Sequence, residues 1–264
     1  MSKKLGFALG AGGARGLAHI GFIKAMEEAG IEADFVTGTS MGSVIGACYC
    51  SGMSADTMQK EISEMTMSDL FDLSINPFGN GALLRSQKMR KKLETYFLQH
   101  PKFNDLKKPF ECVAVDLNTG NLKIFSGDEN IVDGVTASCT VPGIFKPCIQ
   151  DGMTLVDGGI KCRVPVQEVR DMGAEVIVAV DVLGDVRTQT KKLNLFTLML
   201  RTYDVMDAEL TSYKMQEYKP DLYLKPELGD MDMYKFKDFD FAINAGYEIG
   251  KANVKKIKRI LEKK

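Results

Sequence analysis

One serine in this chain is placed to act as a nucleophile. Gly38-Thr39-Ser40-Met41-Gly42 reads G-x-S-x-G, and it falls where the apolar run Phe35-Val36-Thr37 gives way to a helical pattern from Met41 to Cys50. A hydroxyl on a sharp strand-to-helix turn projects clear of a sheet, and the turn closes only if the residues two places to either side are tiny. The amide that follows, Met41 N–H, is then placed to join an oxyanion hole. With 12 serines and 25 glycines in 264 residues, random placement gives about 0.1 such motifs. A match at a predicted strand–helix junction therefore points to acyl-transfer chemistry.

A second segment could serve the same chemistry. Gly10-Ala11-Gly12-Gly13-Ala14-Arg15-Gly16 lies between the apolar run Leu5 to Leu9 and a helical pattern from Gly16 to Glu28. Such a turn presents several backbone N–H groups at a helix N-terminus, where negative charge is favoured. A dinucleotide fingerprint fails, because Arg15 stands where the third glycine must let helix pack on strand. A P-loop fails as well, since Arg15-Gly16-Leu17 stands in place of Gly-Lys-Ser/Thr. Two readings remain: a structural tight turn, and an oxyanion hole that holds the charge developing on a carbonyl oxygen.

A serine hydroxyl needs a base. His19 and His100 are the only histidines. His19 falls inside the first predicted helix and His100 ends a charged helix before Pro101, so both read as structural or surface residues. The α/β-hydrolase order, with histidine last, would require an acid between Ser40 and His100. A carboxylate is the other choice. Asp157 follows the apolar run Met153 to Val156 and precedes Gly158-Gly159, which leave room for a carboxylate to reach a neighbouring loop. Asp-Gly is also a common turn dipeptide, and Asp133-Gly134 and Asp151-Gly152 occur in the same chain. Residue types alone leave Asp157 a candidate with that alternative open.

The elements that must position these residues alternate along the chain. Two strand–turn–helix units in succession predict an α/β fold, a single domain over residues 1–264 with a central, mostly parallel sheet and helices on both faces. Ser54 is placed to cap a third helix and Ser86 a fourth. Strands are expected at Phe110–Val115, Leu122–Phe125, Met153–Val156 and Val176–Val182. Helices are expected at Ile131–Ser138, Val166–Met172, Leu193–Glu217 and Phe241–Leu261. Residues 66–84, apolar but broken by Pro77, Gly79 and Gly81, form a candidate lid or a core segment. The Leu- and Met-rich stretch from Leu193 to Met206 reads as core, with the lining of an acyl pocket or an oligomer interface as the alternative. A basic C-terminal helix over 241–264 carries seven Lys/Arg from Lys251 onward, which suits a solvated helix end or contact with anionic lipid at a membrane surface.

Composition removes other classes. Lys+Arg 34 against Asp+Glu 35 leaves a formal net charge of -1, without the basic excess that nucleic-acid binding requires. A 45% hydrophobic, 26% charged chain excludes disorder over most of its length. Six cysteines without a C-x-x-C pair, beside two histidines, point away from a metal site or a disulfide framework and fit reduced thiols in the cytoplasm. The uncharged run Phe35 to Ala55 is about half Gly, Ser and Thr, which reads as buried core rather than a membrane span. The glycine-interrupted stretch after Met1-Ser2-Lys3-Lys4 is too short for the core of a signal peptide.

Taken as an ordered set, Gly12 to Gly21, Gly38-Thr39-Ser40-Met41-Gly42 and Asp157-Gly158-Gly159 resemble the patatin-like phospholipases, or lipid acyl hydrolases, in their small bacterial form. Ala137-Ser138 and Val141-Pro142-Gly143-Ile144-Phe145-Lys146-Pro147 add a fourth matching stretch. The resemblance spans residues 5 to about 182 and loosens over the last 80 or so. It implies a three-layer patatin-like sandwich, a Ser–Asp dyad without histidine, and no cofactor. By position, Ser40 would be the nucleophile and Asp157 the base. Gly12, Gly13 and Ala14 would supply oxyanion amides with Met41, and Arg15, Gly38, Gly42, Gly158 and Gly159 would support the motifs. Ala11 stands where the family's glycine motif usually begins with Gly, and Cys162 where an Asn is common. The implied activity is hydrolysis of phospholipid or lysophospholipid carboxylic esters through an acyl-enzyme. An acyltransferase or thioesterase using the same dyad, or a silent regulatory member of the fold, is the alternative.

Overall fold

Side chains on a strand alternate between faces, and in this chain the central strands are buried on both. In strand β1 (Leu5–Leu9), Leu5, Phe7 and Leu9 join one apolar cluster while Ala8 joins another. Strand β10 (Val176–Val180) divides the same way, Val176, Val178 and Val180 against Ile177 and Ala179. Strands covered on both faces read as unbroken apolar runs, which is how both appear in the sequence. The computed structural model describes residues 3–64, 72–73, 82–185, 194–233 and 239–262.

The main sheet has eight strands. Its order is β11 (Leu222–Leu224), β10, β1, β2 (Phe35–Thr39), β5 (Phe110–Asp116), β9 (Met153–Asp157) and β8 (Cys148–Gln150), with β6 (Asn121–Phe125) also paired to β5. The pairs from β11 to β5 are parallel; β5 with β6, β5 with β9 and β8 with β9 are antiparallel. The sheet is thus mixed, parallel from its β11 edge to β5 and antiparallel beyond. A separate small sheet joins β3 (Asp72–Leu73), β4 (Ala82–Arg85) and β7 (Gly143–Phe145).

Helices cover both faces. On one side lie α1 (Ala18–Glu28), α2 (Met41–Ser51), α3 (Ala55–Ser63), α4 (Gln87–Tyr96), α5 (Ile131–Ser138) and, further along the chain, α8 (Phe239–Glu262). On the other, α6 (Val166–Asp171) contributes Val166 and Val169 and α7 (Leu195–Tyr218) contributes Met215. Helix α8 lies hard against α1. A Cβ at Gly21 would run into the Ile243 carbonyl, and one at Gly246 into the Ala18 carbonyl. Among the described residues no helix is long and apolar enough to cross a membrane.

Two expectations change. Helix α7 is not core over its first turns: Leu195, Leu198, Met199 and Met206 are exposed, because only its far end packs on the sheet. Ser54 caps α3 by accepting from the Thr57 N–H, whereas Ser86 makes no such bond. Strands β7, β8 and β11 are three residues each, too short for an alternation to register. The candidate lid over 66–84 lies outside the described residues apart from β3 and part of β4.

Candidate active site

Ser40 sits at the end of β2, where the chain turns into α2. Its backbone has φ 54° and ψ −125°, a conformation a residue with a side chain adopts only when its surroundings impose it. The flanking glycines explain how the turn closes. A Cβ on Gly38 would lie 2.6 Å from Ser43 Cα, and one on Gly42 would strike the Leu9 carbonyl. Ser43 Oγ donates to the Ser40 carbonyl at 2.6 Å, and Ser138 Oγ accepts from the Ser40 N–H at 2.9 Å.

The register along β5 brings Asp157 to this turn. Strand β2 pairs with β5 up to Thr39, opposite Val113. Antiparallel β9 takes over at the next position, with Asp157 opposite Ala114. Two strand ends therefore meet head to head beside β5, and residues more than a hundred positions apart in the sequence become neighbours. Ser40 and Asp157 line one cavity wall together, the Ser40 side chain acts to lower the Asp157 pKa, and Asp157 Oδ1 accepts the Gly159 N–H at 2.8 Å. Gly158 has to be small here, since a Cβ would meet the Val113 carbonyl. Of the other Asp-Gly pairs, Asp151-Gly152 turns the β8–β9 hairpin with positive φ at both residues, and Asp133-Gly134 lies inside α5.

Burial dominates the electrostatics. Asp157 is 4% exposed, and removal from water pushes its pKa up to about 7; the Ser40 side chain and the bond from Gly159 oppose that shift and the charge of Asp207 adds to it. His19 is fully buried, and its Nε2 bonds to the Gly10 carbonyl at 2.8 Å; burial lowers its pKa to about 4. His100 Nδ1 bonds to the Asp105 carbonyl. Neither histidine lines the cavity beside Ser40.

That cavity, about 190 Å³, opens on Ser40, Asp157, Gly12, Gly13 and Met41 and is otherwise walled mainly by apolar side chains, among them Val44, Met89, Val141, Ile144 and Phe145. Among the described residues the amides of Gly12, Gly13 and Met41 have no acceptor. Gly13 has φ 50°, and a Cβ there would strike the Met233 carbonyl. Ala14 departs from its expected place. Its N–H donates to that same carbonyl at 2.9 Å, so of the four expected amides those of Gly12, Gly13 and Met41 remain. Arg15 is buried but spans loops instead of facing the cavity: Nη1 donates to the Leu183 carbonyl and Nη2 to that of Gly229.

The loop after Asp157 is held by contacts that residue types did not reveal. The Thr39 hydroxyl donates to the Cys162 carbonyl at 2.9 Å and the Thr37 hydroxyl to that of Pro165 at 2.8 Å. The Ala11 N–H donates to the Arg163 carbonyl. The Arg163 guanidinium, buried, pairs with Asp181 at 2.6 Å and Asp207 at 3.0 Å. Cys162 thus supports the loop through its backbone, a role open to any residue type. Ser138, Thr37 and Thr39 carried only a weak signal, as hydroxyls inside apolar segments.

The protein-family model described as patatin-like phospholipase matches residues 7–170. Patatin-like phospholipase domain-containing protein 6 of Mus musculus is 28% identical over 94% of this chain, which covers 20% of that protein. Lysophospholipase NTE1 of Coccidioides immitis is 27% identical over 97% of this chain and 18% of its own length. The chain thus spans about a fifth of the length of these two relatives. Among solved structures, VipD from Legionella pneumophila superposes with a TM-score of 0.60 at 13% identity, covering 97% of this chain and 67% of VipD; that likeness is one of fold. With the matched region running from β1 through the Ser40 turn, Asp157 and α6, the chain belongs to the patatin-like phospholipase family.

Proposed function

We propose that this protein hydrolyses carboxylic esters of phospholipids or lysophospholipids, with Ser40 as nucleophile and Asp157 as general base. The observation that carries the reading is a serine on a strained strand-to-helix turn and a buried carboxylate lining the wall of one apolar cavity. As Ser40 Oγ attacks the acyl carbonyl, its proton passes to Asp157, and the amides of Gly12, Gly13 and Met41 receive the oxyanion. Protonated Asp157 returns the proton to the departing alcohol. Water then cleaves the acyl-Ser40 ester, with the same carboxylate taking its proton. Raised basicity makes Asp157 a better proton acceptor than an ordinary carboxylate, and fixed geometry supplies much of the remaining rate. No metal or cofactor enters these steps. The cytoplasm is the proposed site of action, with peripheral contact at a lipid surface; six unpaired cysteines, five of them buried, suit a reducing compartment.

The test is hydrolysis of a panel of phospholipids and lysophospholipids by the wild-type protein beside Ser40→Ala, with fluorophosphonate labelling of both. Hydrolysis and labelling should vanish together in Ser40→Ala. Labelling that persists in the variant would remove Ser40 as nucleophile. Turnover of acyl-CoA without turnover of lipid esters would move the reading to an acyltransferase or thioesterase, and an inert wild type to a regulatory member of the fold.

A further inference from the structure

Three consecutive residues at the C-terminal end of α5 reach both halves of the Ser40–Asp157 pair. Ser138 Oγ accepts the Ser40 N–H at 2.9 Å. Cys139 Sγ lies 3.9 Å from Ser43 Oγ, and Cys139 lines the cavity beside Ser40. The Thr140 carbonyl accepts the Asp157 N–H at 2.8 Å, while the Thr140 hydroxyl donates back to the Thr136 carbonyl and ties the turn to its helix. Ser138 and Thr140 are fully buried.

The Ser40 N–H needs such a partner because of the sheet. Beyond Thr39 the edge of β5 is occupied by β9, with Ala114 already paired to Asp157. No strand carbonyl takes the Ser40 N–H. A buried N–H without an acceptor is costly, and this one belongs to a residue already held at positive φ. A side-chain oxygen from α5 fills the position that the strand crossing vacates.

We infer that Ser138 is a positioning residue: its hydroxyl oxygen fixes the Ser40 backbone, and through Thr140 the same turn sets where Asp157 stands relative to it. The inference rests on the dyad reading above. Its substrate-independent content is that the Ser40 Oγ–Asp157 geometry depends on one oxygen atom at residue 138, not on the volume there. A misplacement of about 1 Å at a reacting pair lowers rate by roughly 10²-fold.

The experiment compares Ser138→Thr, which keeps the oxygen, with Ser138→Val, which puts a methyl group in its place at similar size, beside wild type and Ser40→Ala. Steady-state hydrolysis of a p-nitrophenyl ester, fluorophosphonate labelling rate and melting temperature are read for each. Ser138→Val should lose roughly 10²-fold in kcat and in labelling rate with KM within about twofold, while Ser138→Thr stays within about threefold of wild type. Equal rates in the Thr and Val variants, whether both normal or both low, would overturn the assignment. So would a Val variant whose melting temperature falls while its rate per folded molecule is unchanged, since that is packing alone. Should Ser138→Val not fold, Ser138→Ala is read by the same criteria. Persistent labelling in Ser40→Ala would instead bring down the dyad reading, and this inference with it.

Discussion

Replacing Asp157 by Asn should make the protein more stable at neutral pH while abolishing its activity. The unfolded carboxyl ionises near 3.8 and the folded one near 7, because burial penalises the charged form. Between those values the folded chain holds a proton that the unfolded chain has released, so stability falls as pH rises, by about 1.4 kcal/mol per pH unit. Over the whole interval the loss reaches roughly 4 kcal/mol, and above about 7 the contribution is flat. The asparagine of the Asp157→Asn variant has no charge to bury. Its side-chain oxygen can still accept the Gly159 N–H, so the loop keeps its 2.8 Å contact. Urea unfolding of both proteins from pH 5 to pH 8 isolates this group, since other titrations cancel in the difference. Wild-type stability minus variant stability should fall by about 2–3 kcal/mol between pH 5 and 7 and then level off. Over the same range wild-type kcat/KM for a neutral ester should climb through a midpoint near 7 as the base form appears. A difference curve flat to within about 0.5 kcal/mol would mean that Asp157 is already ionised at pH 5, and the reasoning from burial would be wrong.

Ser40→Gly and Ser40→Ala should both be inactive, yet the glycine variant should be the more stable by about 1 kcal/mol in urea unfolding, since only glycine adopts φ 54° without strain. Arg163→Met should cost about 3–5 kcal/mol by leaving Asp181 and Asp207 buried and unpaired; adding Asp207→Asn should recover a measurable part of that loss. Gly246→Ala should destabilise by about 1–3 kcal/mol, because its Cβ meets the Ala18 carbonyl. Amide exchange should then accelerate first in α8, with kcat per folded molecule unchanged.

The legible parts of the sequence were those where a local rule acts alone. Period and punctuation placed β1, β2, β10 and α5, and small residues at fixed offsets placed the Ser40 turn. What stayed hidden depends on partners far along the chain. Ala14 looks like Gly12 and Gly13 as a source of amides, and only the Met233 carbonyl, more than two hundred residues away, takes it out of use. The first turns of α7 have the composition of core, and composition cannot say that Leu195, Leu198 and Met199 find nothing to pack against there. Hydroxyls such as Thr39 and Ser138 gain meaning from the carbonyl or amide they meet, which no spacing rule encodes.

Two local rules are broken together at this site. A serine is held at positive φ, and a carboxyl is buried with no cation among the groups that shift it. Either would be expelled from an ordinary core, since each weakens the fold. Both persist because β5 changes partner between Val113 and Ala114, which puts two strand ends where no regular ladder can absorb them. Thr37 and Thr39 then anchor the β2 side to the loop after Asp157, and α5 closes the junction from the other face. The same discontinuity that leaves the Ser40 N–H without a strand partner leaves its hydroxyl free to meet a carboxylate. The proposed reactivity and the local instability then share an origin in the sheet, so substitutions that relieve the strain should diminish activity.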